Sequence, residues 1–276
     1  MCSSDLQQIP LGRALDEGLI VEFDPDPPYL ERVSHLIDLT AIRDAGLQVS
    51  VDAMFGAGAG YISRLISGGT TTVEEINGYR NPAFPGMEQP EPIAHNLTTL
   101  TERIKAGGPS VGLALDGDAD RVGVVDEHAR FITTLEVFSL LALYLLENKG
   151  EKGALVKGVT SSNMLNRLGE RFGVDVHEMK VGFKYIGPRM SEVDALMGGE
   201  ESGGFAFRGH IPERDGVLSG LYILEYMAKT GSTPSQLVQH LFDQVGSHFY
   251  NRRDVSFDPQ DRARIEELQR GIGEGG

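Results

Sequence analysis

The sequence predicts an α/β protein, two tandem α/β/α domains with mixed, mainly parallel sheets, and three observations carry that reading. Short apolar runs alternate with stretches of helical spacing along most of the chain. The alternation starts near Tyr29, breaks at a Lys-, Glu- and Gly-rich stretch at 148–153, and begins again. A length of 276 residues, with 40% apolar and 24% charged content, is enough to bury two medium cores.

The opening MCSSDL matches what the tail of a sequencing adapter encodes when it is read through. Residues 1–6 are therefore expected to be an artefact with no part in the fold. Up to residue 28, Pro10, Pro25, Pro27 and Pro28 flank GLIVEF, which reads as one strand and a linker, the tail of a missing first domain. From Tyr29, Leu30, Val33, Leu36, Ile37 and Ile42 share one helical face that stops at Gly46, which predicts a single helix. LQVSVDAMFGAGAG reads as a buried strand running into a glycine loop, and YISRLISG as the helix after it. A proline-rich loop, NPAFPGMEQPEP, leads to the helix NLTTLTERIKAGG. SVGLAL and VGVVD are strands on either side of an acidic turn. Thr133 and Glu136 then make a capping box for TLEVFSLLALYLLEN, apolar all round and expected to be buried. The composition change at 148–153 divides a domain at 29–149 from one at 150–246.

The second half repeats the pattern. ALVKGV, DVHEMKV, ALMGGE and GFAFRG read as strands, with SSNMLNRLGERFG and YIGPRMSEVD as helices between them. DGVLSGLYILEYMAKTG and a helix opened by Ser232, Thr233 and Pro234 complete it. Residues 247–276 read as the first strand and amphipathic helix of a further, truncated domain.

Bulk properties narrow the function. Forty acids against 25 bases give a net charge of -15 with no basic stripe, which argues against a nucleic-acid track. No apolar run reaches the roughly 18 residues of a membrane span. The single cysteine, Cys2, allows no internal disulfide and points to the cytoplasm.

Chemistry concentrates in LALDGDADRVGVV at 113–125, where Asp116, Asp118 and Asp120 alternate ahead of Arg121. Carboxylates so close repel one another unless a cation neutralises them, and hard cations such as Mg²⁺ take carboxylate oxygens. A solvated acidic turn explains a lone pair of aspartates better than it explains this whole string behind a buried strand. A calcium EF-hand is rejected, because Arg121 fills the position of its required glycine and a strand precedes the loop. A haloacid-dehalogenase-type phosphotransferase, with Asp116 as nucleophile and Asp118 as acid/base, wants threonine or valine where Asp120 stands. It is kept as the runner-up. FGAGAG at 55–60 is spaced G-x-G-x-G, so it reads as a tight strand-to-helix turn and not as a dinucleotide loop.

LDGDADR, followed about eighty residues later by GEESGG at 199–204 and then by GHIPERDG at 209–216, resembles the α-D-phosphohexomutases, the phosphoglucomutases and phosphomannomutases. The resemblance covers roughly residues 29–246 and implies the second and third of that family's four domains. It implies that Asp116, Asp118 and Asp120 ligate Mg²⁺ and that Arg121 lies beside the reacting phosphoryl group. Glu200 and Ser202 would hydrogen-bond two hydroxyls of the hexose, Lys184 in VGFKYI would face the active site, and His210 and Arg214 would belong to the site's third motif. Some members end the sugar loop with a histidine, a candidate for proton transfer. Here that position is Gly204, so either another branch of the family is represented or His210 substitutes.

The implied reaction interconverts hexose 1-phosphate and hexose 6-phosphate through a phosphoserine and a bisphosphate intermediate. The family's serine lies in an SHNP-like string that this sequence does not contain; Ser34 and His35 of VSHLID follow helical spacing without an Asn-Pro turn. An Arg-x-Ser-Gly-Thr-like phosphate loop is missing as well. The chain is therefore expected to bind Mg²⁺ and present half of a hexose-phosphate site without turning over alone. A non-catalytic sugar-phosphate or metal-binding module is the other alternative.

Overall fold

The computed structural model describes residues 8–250, 258–262 and 264–266. Among the described residues, nine strands form two sheets. The first contains Gln48–Asp52 (β1), Thr72–Ile76 (β2), Val111–Leu115 (β3), Val122–Val125 (β4) and Phe131–Ile132 (β5), in the order β2-β1-β3-β4-β5. β1 runs parallel to β2 and β3, while β4 and β5 turn back antiparallel. The second contains Leu155–Gly158 (β6), Val176–Met179 (β7), Met197–Gly199 (β8) and Phe205–Phe207 (β9), in the order β7-β6-β8-β9, with only β9 antiparallel. The sheets are mixed and mainly parallel, as expected.

Helices cover them: Leu11–Asp16 (α1), Asp26–Leu36 (α2), Leu39–Asp44 (α3), Tyr61–Ile66 (α4), Thr98–Lys105 (α5), Thr134–Leu143 (α6), Met164–Phe172 (α7), Phe183–Val193 (α8), Gly216–Thr230 (α9) and Pro234–Val245 (α10). α6 is buried from Leu135 to Leu143 and continues as a π-helical turn, Tyr144–Asn148. One apolar core runs through both sheets, joining Val49, Leu113 and Val122 of the first to Leu155, Met197 and Phe205 of the second. Phe138 of α6 packs against Phe205, with ring centroids 5.1 Å apart and planes tilted by 36°. α9, although late in the chain, packs on the first sheet: a Cβ on Gly220 would touch Leu113 at 3.2 Å.

Two expectations are corrected. GLIVEF is not a strand: Leu19, Val21 and Phe23 are 60%, 79% and 78% exposed, and among the described residues no strand runs alongside to bond it. The helix read from Tyr29 to Gly46 is two helices. α2 starts at Asp26 with proline in its first turn. Asp38 then ends the run by capping α3, its side chain accepting from the Ala41 N–H at 3.0 Å. The local cap outweighs the continuous apolar face. β2 and β5 went unread, β2 because its polar residues carry no clear alternation and β5 because it has two residues.

Met1–Gly246 forms one compact unit and Ser247–Gly276 a second. In the second, Pro259–Asp261 is a 3₁₀ turn and residues 262 and 264–266 are helical. The segment after Gly246 is expected to open with a strand; residues 247–250 form none, and 251–257 lie outside the described residues.

The capping box at α6 is formed. Thr133 Oγ1 accepts from the Glu136 N–H at 3.2 Å, and the Glu136 carboxylate accepts from the Thr133 N–H at 2.7 Å. Thr133→Ala should lower stability by about 1 kcal/mol, measured as a shift of the urea midpoint at unchanged slope.

Candidate metal centre

β1 and β3 are parallel neighbours, so the loops leaving their C-terminal ends emerge together on one edge of the sheet. β3 is buried throughout and delivers Asp116, itself 1% exposed. The chain then turns through Ala119, at a left-handed φ of +63°, whose N–H donates to the Asp116 carbonyl at 3.1 Å. The Asp116 side chain closes the turn: Oδ1 accepts from the Arg121 N–H at 3.0 Å and Oδ2 from Arg121 Nε at 2.5 Å. With the turn held this way, one oxygen each from Asp116, Asp118 and Asp120 lies within 4.8 Å of the others.

An all-oxygen donor set suits a hard divalent cation. Mg²⁺ holds its ligands at about 2.1 Å, which places neighbouring ligand oxygens about 3–4 Å apart. The charge balance agrees. Burial, and next the negative charge of Asp116, push the Asp120 carboxyl up to about 7, with Arg214 opposing. Such a carboxyl must shed its proton before it can ligate. Metal affinity should therefore be level above about pH 8 and fall, by up to about tenfold per pH unit, below about pH 6.5. Mn²⁺ titrations followed by electron paramagnetic resonance check this, and Asp120→Asn should flatten the profile while weakening the site.

The second sheet brings its own loop to the same place. β8 ends at Gly199 and delivers Glu200, whose N–H donates to the Gly204 carbonyl at 3.0 Å. This loop is stitched to the acidic one. The Val122 N–H donates to the Gly203 carbonyl at 3.1 Å, Arg121 and Gly204 form an isolated antiparallel bridge, and Thr134 Oγ1 donates to the Glu201 carbonyl. The first residue of α9 joins them, the Gly216 N–H donating to the Ala119 carbonyl at 2.9 Å.

Of the residues singled out from sequence, six converge. Arg121 pairs with Asp116, and Arg214 reaches Asp120 at 2.6 Å and Glu200 at 3.6 Å. Ser202 is exposed on the loop beside them. Lys184 is exposed in the first turn of α8, with Nζ 5.2 Å from the centre of the Tyr185 ring. His210 is buried behind the site, its Nε2 bonded to Asp215 Oδ2 at 3.1 Å and its Nδ1 without a partner. Asp215 also accepts from the Tyr29 hydroxyl at 3.0 Å and caps α9 through the Leu218 N–H.

Two clefts meet at Asp118. One, of about 290 Å³, is lined by Tyr29, Tyr61, Ala57, Asp120 and Arg214 as well. The other, of about 540 Å³, is lined by Phe55, Arg80, Phe84 and Gly117. The aromatic walls and Arg80 had not been singled out, and neither had Glu91, which accepts from Arg121 Nη1 at 3.0 Å. The glycine loop, read from sequence only as a tight turn, could have been assigned to the site: strands adjacent and parallel bring FGAGAG beside the acids. A Cβ on Gly56 would sit 2.6 Å from the Gly117 carbonyl oxygen. Nothing local in the proline-rich loop foretells Glu91.

Gly204 also acquires a physical reason. A Cβ there would lie 2.4 Å from Arg214 Cδ, so Arg214 occupies the space that a side chain at 204 would need.

Residues 27–129 match the family model described as phosphoglucomutase/phosphomannomutase, alpha/beta/alpha domain II, and 135–245 match domain III. A phosphoglucomutase/phosphomannomutase of Thermococcus kodakarensis is 35% identical over 214 residues, 78% of this chain and 46% of its own length. A phosphoglucosamine mutase of Desulforamulus reducens is 33% identical over 201 residues, 70% of this chain and 43% of its own. Among solved structures, a Burkholderia thailandensis phosphoglucomutase/phosphomannomutase family protein superposes with a TM-score of 0.71 at 26% identity, covering 84% of this chain and 51% of that one. The chain spans about half the length of the curated relatives it matches. The haloacid-dehalogenase alternative finds no support in these comparisons. Asp116 could not serve it as a nucleophile either, because both carboxylate oxygens are buried against Arg121.

Proposed function

The chain belongs to the phosphoglucomutase/phosphomannomutase family, of which it carries domains II and III, and from that premise we propose that it supplies the metal loop and the sugar loop of a Mg²⁺-dependent phosphohexomutase. The reaction is an isomerisation of hexose 1-phosphate and hexose 6-phosphate by way of a phosphoserine and a hexose bisphosphate. The observation that carries the reading is the stitching of 116–122 to 200–204, with Arg214 spanning Asp120 and Glu200. A phosphoryl-transfer site needs charge neutralisation and sugar recognition within one reach, and the roles proposed for these two loops would supply both.

Asp116, Asp118 and Asp120 are the residues that would hold Mg²⁺, which when bound neutralises charge on a phosphoryl group. Arg121, fixed by Asp116 and Glu91, presents its guanidinium to that group. Glu200 accepts a hydrogen bond from one hexose hydroxyl and Ser202 exchanges one with another. Arg214 supplies charge to the sugar phosphate, and Lys184 meets it from α8. His210 acts through Asp215, which sets the entry of α9 beside the acids. Hexose phosphates are the substrate class, glucosamine phosphates included, in keeping with the phosphoglucosamine mutases among the relatives. We put the division between the two family domains at 149/150, a reading supported by its lying between the last strand of the first sheet and the first strand of the second, while the match to domain III starts earlier, at residue 135. No helix among the described residues is long and apolar enough to cross a membrane. The cytoplasm is the proposed compartment, on the single cysteine of the chain.

Because the sequence contains no SHNP-like serine string, the purified chain should bind Mn²⁺ and glucose 1,6-bisphosphate but convert no glucose 1-phosphate into glucose 6-phosphate. A coupled dehydrogenase assay beside calorimetric titrations tests both halves. Turnover by the chain alone would overturn the requirement for a serine supplied from elsewhere. A chain that takes up no divalent cation would overturn the metal assignment.

A further inference from the structure

Arg214 stands between the two acidic loops. Its Nη2 lies 2.6 Å from Asp120 Oδ2, its Nη1 3.6 Å from Glu200 Oε2, and its Nε 3.2 Å from Glu213 Oε1. The guanidinium carbon rests 5.5 Å from the centre of the Phe183 ring, and the side chain, 28% exposed, lines the smaller cleft beside Asp118 and Asp120. Its place is kept open by Gly204. Of these contacts, the shortest engages a carboxylate whose neighbours Asp116 and Asp118 converge on the same point. A divalent cation held by the three acids and the Arg214 guanidinium would be like charges competing for the Asp120 carboxylate, and each weakens the other's hold.

Resting on the metal-site reading above, we infer that Arg214 is an exchangeable counter-ion. It neutralises Asp120 while the acids hold no cation, and turns its Nη2 edge to an anionic ligand in the cleft once they do. Glu200, Glu213 and Phe183 retain the rest of the side chain during the exchange, so only the tip has to move. Arg214 is then a positioning residue that couples two sites: a bound cation frees it for a phosphate, and a bound phosphate draws it off the cation's ligand. Coupling of this kind is reciprocal, so each ligand must raise the other's affinity by the same factor.

The test uses the full chain with Mn²⁺ alone, inorganic phosphate alone, and each in the presence of the other. Arg214→Ala should bind Mn²⁺ about fivefold to tenfold more tightly than wild type, because a competing cation has gone. In Mn²⁺ it should bind phosphate at least about tenfold more weakly, and the mutual enhancement seen in wild type should fall towards one. Gly204→Ala, which keeps the guanidinium but takes its space, should also tighten Mn²⁺. An arginine with a merely structural role would lower both affinities or neither. Should Arg214→Ala fail to fold, the neutral and near-isosteric Arg214→Gln carries the same expectation. Mn²⁺ affinity unchanged or weakened in these variants overturns the exchange and leaves the metal site standing. A wild-type chain that binds no Mn²⁺ removes both.

Discussion

Asp116→Ala is expected to abolish divalent-cation binding and to destabilise the protein by about 3 kcal/mol. The two losses have separate causes. Asp116 contributes one of the three converging oxygens, and with it gone only the exposed Asp118 and the Arg214-paired Asp120 remain to hold an ion. Asp116 is also the buried partner of Arg121, accepting from both its backbone N–H and its Nε. Removing one member of a buried pair leaves the other charge unmet, at a typical cost of about 3–5 kcal/mol. The lower end applies because Arg121 is 22% exposed and keeps Glu91 at 3.0 Å. Relief of repulsion among the acids works the other way, but Asp118 is exposed and screened, so that gain is smaller. Urea unfolding in a chelator measures the stability loss and Mn²⁺ titration the binding loss. Asp116→Asn separates them, since it should recover part of the stability and none of the binding.

Gly216→Ala should be nearly as damaging, although it adds a single methyl group. A Cβ at 216 would lie 2.4 Å from the Arg121 carbonyl oxygen and 2.9 Å from that of Ala119. Those atoms are backbone of the acidic turn and cannot rotate aside. Either α9 withdraws, breaking the Gly216 N–H bond to Ala119, or the turn moves off its ligand geometry. Overpacking of this sort costs about 1–3 kcal/mol, and Mn²⁺ affinity should drop by at least about tenfold. Gly220→Ala is the control. Its Cβ would meet only the side chains of Leu113, Ile62 and Val122, at 3.2 Å or more, so it should leave the metal affinity close to wild type.

The acidic turn could be read from sequence because its chemistry is local: three carboxylates and an arginine within six residues announce a charge problem wherever they fold. Strands flanked by glycine and helices closed by caps were legible for the same reason. GLIVEF misled because β character needs a neighbour, and no run of letters shows that one is missing. The break at Asp38 was missed because a capping side chain overrode an unbroken apolar face. What sequence reading could not reach are contacts at long separation. Glu91 meets Arg121 only after the proline-rich loop folds back, and Arg214 meets Asp120 only when the two sheets share a core. Gly204 looked like a deletion of function until the side chain filling its space came into view.

The backbone bonds between 121–122 and 203–204 bear on anyone who would redesign this molecule. Loop grafting treats a recognition segment as a cassette that can be exchanged between homologues to change which sugar is accepted. Here the cassette has a second half on the other sheet. A donor segment at 200–204 would bring its own backbone path but would have to mate with a resident 119–122, and any mismatch would be felt by the three converging carboxylates next door. Transplants that carry both segments together, with residue 214 as their rivet, should retain cation binding, and single-segment transplants should lose it.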